Sequence, residues 1–74
     1  MPKTLLLLGG ARYAIPVIDA AHGLGARVVT CDYLPDNYAH RFSDGYVNAS
    51  IVDEGAVLAA AESVHADGIM SFAA

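Results

Sequence analysis

The sequence predicts an α/β fold: a Rossmann-like parallel sheet of four strands in the order 3-2-1-4, with flanking helices, forming an incomplete domain. Three observations predict it. Apolar runs of strand length alternate with segments whose apolar residues recur at helical spacing, and that alternation builds a parallel sheet with right-handed crossovers. The first run stops at Gly9-Gly10, a strand-to-helix turn. The composition, 55% hydrophobic and 16% charged, suits strands covered on both faces.

Thr4 to Leu8 is an unbroken run of the kind buried on both faces, and is the first strand. From Ala14 the residues Ala14, Val17, Ile18, Ala21 and Leu24 fall on one side of a helix, with Asp19 and His22 on the other. Pro16 lies in its first turn, where a missing N–H is harmless. Gly25 is placed to end the helix in the left-handed conformation. Arg27 to Cys31 follows as a second β-rich run, which completes a βαβ unit of about 30 residues.

Asp32 to Asp44 is polar and broken by Pro35. The spacing of Ala39 and Phe42 predicts one short helical turn packed against the body. Gly45 to Ser50 is a weaker third strand, interrupted by Asn48. Asp53 is a good N-cap for a second helix with an apolar stripe of Val57, Leu58, Ala61 and Val64. His65 suits the negative end of that helix if protonated. Asp67-Gly68 turns the chain into a fourth strand, Ile69 to Ala73. A doubly wound domain normally continues beyond such a strand, so the expectation is one N-terminal domain, residues 1–74, truncated from a longer protein.

Charge and size exclude several functions. The net charge of −4 and the lack of a Lys/Arg cluster argue against a nucleic-acid partner, which requires a basic stripe. The apolar run at the start is too short for a signal peptide and meets Gly-Gly and Arg12. No stretch approaches the roughly 18 apolar residues of a membrane span. The single cysteine cannot form an intrachain disulfide, so the expected compartment is the cytoplasm. A chain of 74 residues removes only about 60% of its unfolded surface from water, so it is marginal alone.

The candidate chemistry lies at Gly9-Gly10-Ala11-Arg12. Backbone N–H groups at such a turn favour an anion, although an identical turn can be purely structural. Against the dinucleotide fingerprint G-x-G-x-x-G, Gly9 matches, but Ala11 and Ala14 replace the second and third glycines. Arg12 can pair with a phosphate or carboxylate, or can stand solvated at the sheet edge. Asp32 ends the second strand about 20 residues later, where an acidic side chain can hold a ribose hydroxyl or start an ordinary loop. His22, His40 and His65 are too scattered to make a metal site with Cys31 and are read as surface or capping residues. Cys31 reads as a small buried apolar residue. Tyr13, Tyr33, Tyr38 and Tyr46 can line a cleft or pack at the surface. No spacing among Asp36, Asp44, Asp53 and Glu54 marks an acid/base pair.

Four segments together carry a resemblance. They are Gly9-Gly10-Ala11-Arg12-Tyr13-Ala14-Ile15-Pro16, Thr30-Cys31-Asp32-Tyr33-Leu34-Pro35-Asp36-Asn37, Ala39-His40-Arg41-Phe42-Ser43-Asp44, and Asp67-Gly68-Ile69-Met70-Ser71-Phe72-Ala73. Their run resembles the N-terminal pre-ATP-grasp domain of carbamoyl-phosphate-synthase-like ATP-grasp enzymes. The resemblance implies an ATP-dependent carboxylate ligase that activates a small carboxylate as an acyl phosphate, with ATP and Mg²⁺ held by later subdomains of the same chain. It implies that Gly9, Gly10, Arg12, Asp32 and Tyr33 face the acceptor side of the cleft, and that none of them is catalytic. The expected partners are those later domains, the small carboxylate and, through the open sheet edge, further copies of the chain. Two other classes compete. One is a nicotinamide-binding domain of an oxidoreductase or epimerase, favoured by Gly9 and Asp32 and weakened by Ala11. The other is a small assembly module without enzymatic activity.

Overall fold

A computed structural model describes residues 2–71. Thr4–Leu8 (β1) and Arg27–Asp32 (β2) form the middle of a four-stranded parallel sheet. Gly45–Asn48 (β3) lies outside β2 and Gly68–Ser71 (β4) outside β1, giving the order β3-β2-β1-β4 that the sequence predicts. The helices are Ile15–Gly23 (α1) and Glu54–Ser63 (α2). Two short 3-10 turns, Arg12–Ala14 and Tyr38–Arg41, lie in the loops that leave β1 and β2.

Side chains alternate across a strand, so an unbroken apolar run supplies two cores. Leu7 and Val28 meet Ala14, Ile18, Ala21 and Ala39 on the α1 face. Leu6, Val29 and Cys31 meet Val57 and Ala60 on the α2 face. Each fully buried Leu, Ile or Val contributes about 1.5–3 kcal/mol. The alanines let the helices lie close to the sheet. Since α1 links β1 to β2 on one face, while α2 carries the chain from β3 across to β4 on the other, the strand order reverses between β1 and β4.

The turns are set by local chemistry. Asp53 caps α2, its Oδ1 accepting from the Ala56 N–H at 3.1 Å. Gly25, at φ +80°, ends α1, with the Ala26 N–H bonded to Ala21 C=O and the Gly25 N–H to His22 C=O. This paired pattern is the Schellman motif. It recurs after α2, where Ala66 bonds to Ala61 and His65 to Glu62, and there the left-handed residue is His65, at φ 53°. Asp44-Gly45 and Asp67-Gly68 start β3 and β4 in the same way. The Asp44 N–H donates to Val28 C=O and its carboxylate accepts from the Val28 N–H, both at 2.8 Å. Asp67 treats Thr4 identically, at 2.8 and 2.7 Å. Each aspartate thus extends the ladder by one rung and fixes the register of the strand it begins.

Several expectations need correction. Leu24, placed in the α1 stripe, is 88% exposed, and Leu58, placed in the α2 stripe, is 57% exposed. Ala60, not Leu58, is the buried partner of Val57. Of the predicted turn, Ala39 is fully buried, whereas Phe42 is exposed and packs beside Tyr38. Asn48 does not interrupt β3 but ends it, so the strand stops two residues before Ser50. His65 ends α2 through its backbone conformation, a role that charge did not suggest. The β4 residues are all exposed, so coverage of both faces holds for β1 and β2 and not for this edge. The predicted continuation of β4 to Ala73 lies outside the described residues.

Candidate functional site at the carboxyl edge of the sheet

In doubly wound sheets, ligands bind beyond the carboxyl ends of the strands, where the strand order reverses. Here that place is the Gly9-Gly10 turn at the end of β1. Gly9 adopts φ +105°, a conformation that L side chains rarely take. Its N–H donates to Cys31 C=O at 2.8 Å. Gly10 is held on three sides. Its N–H donates to Asp32 Oδ2 at 2.9 Å, its C=O accepts from the Ala39 N–H at 2.7 Å, and its α-carbon faces the His40 ring. The amides of both glycines are therefore committed within the protein.

Asp32 stands where the sequence spacing puts it, at the end of β2 and against the turn. It is 6% exposed. Its carboxylate accepts from Gly10 N–H, from Asn37 Nδ2 at 2.8 Å and from Leu34 N–H at 3.2 Å. Burial pushes its pKa up, but the bonds from Asn37, Leu34, Gly10 and Tyr33 outweigh this and hold the carboxyl below the usual aspartate range. A charged, bonded Asp32 thus ties the end of β1 to the end of β2. Tyr33, the next residue, projects outward at 62% exposure.

His40 is the residue that sequence reasoning missed. It is a packed residue of this edge, half-buried, not a surface or capping one. Its Nε2 lies 3.1 Å from Leu34 C=O, its Nδ1 lies 2.6 Å from Thr30 Oγ1, and its ring packs against Tyr46, tilted by 45° at 4.0 Å between centroids. A carbonyl only accepts, so Nε2 carries the hydrogen, and in the neutral ring Nδ1 accepts from Thr30. Tyr46 donates its hydroxyl to Asp32 C=O at 2.9 Å, which closes the network. The available signal was the position of His40 one residue after Ala39, the apolar anchor of its turn.

Arg12 is exposed and lies over the Tyr38 ring, 4.6 Å from its centroid, and Arg41 lies over the same ring at 5.3 Å. Cys31 is fully buried, and burial, followed by the charge of Asp32, pushes its thiol up, opposite to what a nucleophile needs. Among the described residues no group of three or more His, Cys, Asp or Glu side chains is placed to hold a metal ion. No helix of the described residues is long and apolar enough to cross a membrane.

The sheet order and this edge define a doubly wound α/β domain. No protein-family model matches the chain, and comparison with curated proteins finds no match. Among solved structures the fold is similar to that of N5-carboxyaminoimidazole synthetase from Staphylococcus aureus, complexed with ADP. The TM-score is 0.79 at 20% sequence identity, over 96% of this chain and 19% of the synthetase. Likeness at that identity shows the fold, and the chain spans a small part of the synthetase's length.

Proposed function

We propose that residues 1–74 are the N-terminal pre-ATP-grasp domain of an ATP-dependent carboxylate ligase and form the acceptor side of its cleft. The observation that carries this reading is the carboxyl edge itself. Asp32 and His40 lock the Gly9-Gly10 turn from within, which leaves Arg12 and Tyr33 on its outer side. Two things support the ligase class: the resemblance of the four sequence segments to ATP-grasp proteins, and the fold shared with a synthetase solved in complex with ADP.

In this reading the domain binds and orients the acceptor. ATP and Mg²⁺ are held in this reading by the later subdomains, a division supported by the glycine amides already bonded within the protein. An open apolar groove beside β4, lined by Leu5, Val17, Leu24 and Met70 among others, supports packing of neighbouring parts of the ligase on this sheet. The nicotinamide alternative requires Asp32 free for ribose hydroxyls, whereas its oxygens already hold Gly10, Leu34 and Asn37.

Calorimetry with Mg·ATP on residues 1–74 and on the full-length protein tests the proposal. Binding is expected for the full-length protein and not for the domain. A full-length protein that binds no ATP, or NADH fluorescence changes at micromolar domain, would overturn it.

A further inference from the structure

We propose that Arg12 and Arg41, gathered on Tyr38, form a subsite for one small oxyanion, a phosphate or carboxylate group of the acceptor; the inference rests on the acceptor-side reading above. Only four residues of the chain are Lys or Arg, and its net charge is −4. Two of those four come from separate 3-10 turns, one after β1 and one after β2, and meet on one ring. Their distances to its centroid leave the two guanidinium carbons no more than about 10 Å apart. Like charges at that range repel, which makes the arrangement informative.

Neither arginine is neutralised by an ion pair: among the described residues the one such pair is His22–Asp44, at the other end of β2. Arg41 borders a shallow depression of about 350 Å³ together with Pro35, Asp36, Asn37 and His40. An anion at the edge of the Tyr38 ring lies within about one Debye length of both guanidinium groups. A guanidinium held over an aromatic ring is restrained there, and its N–H groups can pair with an oxyanion in a bidentate way. The glycine turn cannot supply this recognition through the amides of Gly9 and Gly10, because both are bonded within the protein.

The test is an NMR titration of the ¹⁵N-labelled chain, following the arginine Nε–Hε signals with inorganic phosphate, with acetate, and with sodium chloride at matched ionic strength. Saturable shifts are expected at Arg12 and Arg41 and not at Arg27, which lies at the opposite edge of the sheet. Arg12→Gln and Arg41→Gln should each weaken binding about fivefold, the worth of one solvated charge contact near 4 Å. Both side chains are exposed, so the amide spectrum should keep its dispersion in either variant. Saturation by phosphate alone identifies a phosphate-bearing acceptor, and saturation by both anions identifies a general oxyanion site. Shifts that chloride reproduces, that appear equally at Arg27, or that survive the double substitution would overturn the proposal. A chain without a dispersed amide spectrum would overturn it as well, since the subsite exists only in the fold. No ATP enters this experiment, so its failure is separable from failure of the ligase reading.

Discussion

Replacing Gly10 by alanine tests how the carboxyl edge is held. An added methyl would sit 2.5 Å from His40 Cε1, 2.8 Å from Nε2 and 3.1 Å from Nδ1, where ordinary carbon contacts are about 3.5–4.0 Å. The ring cannot retreat freely, because Thr30, Leu34 and Tyr46 hold it. Gly10, unlike Gly9, has no positive φ, so alanine carries no backbone penalty there and restricts the unfolded chain, a gain of about 0.4–1 kcal/mol. Against that stand about 1–3 kcal/mol of overpacking and about 1 kcal/mol for each His40 bond lost. The net expectation is about 2–4 kcal/mol of destabilisation, a large share of what a domain of this size commonly has at roughly 0.05–0.15 kcal/mol per residue.

Urea unfolding followed by circular dichroism reads the effect, and a double-mutant cycle with His40→Ala assigns it. With the ring removed, Gly10→Ala should be close to neutral, a coupling of at least about 1.5 kcal/mol. Gly9→Ala is the contrasting control. Its cost of about 1–3 kcal/mol comes from backbone strain at φ +105°, and His40→Ala should not relieve it. If Gly10→Ala proves harmless, or costs the same with and without the His40 ring, the packing argument fails.

Three other outcomes follow from the same structure. His65→Gly should stabilise the chain by about 0.5–1 kcal/mol by relieving the left-handed residue after α2, read as a raised urea midpoint; a lowered midpoint would contradict the assignment. Hydrogen bonds hold the carboxyl groups of folded Asp32 and Asp44 below the ordinary aspartate range, so as pH falls the unfolded chain takes up protons first. Their stabilisation is then complete above about pH 5 and lost as pH drops through the depressed folded values. Urea midpoints should fall steadily below pH 4, and Asp32→Asn should flatten that slope. Cys31 is fully buried and its thiol pushed up, so a thiol reagent should label it only at the rate of opening and rapidly in urea; immediate labelling of the folded chain would disprove its burial.

The four-strand order, the two helices and the Asp53 cap were legible because each rests on local periodicity or on chemistry within one turn of chain. Leu24 and Leu58 show where periodicity stops. It identifies an apolar side chain at helical spacing but not whether another element covers it, and none of the described residues buries either leucine. At the site, sequence placed Gly9, Gly10 and Asp32 at one sheet edge through strand length and spacing. That Asp32 points its carboxylate at Gly10, that His40 closes on the same glycine, and that Arg12 and Arg41 share Tyr38 were decided only by the fold. Gly10 and Asp32, Arg12 and Tyr38, and Gly10 and His40 lie 22, 26 and 30 positions apart in the sequence, brought together by the parallel pairing of β1 and β2, whose ends no local pattern could bring into register.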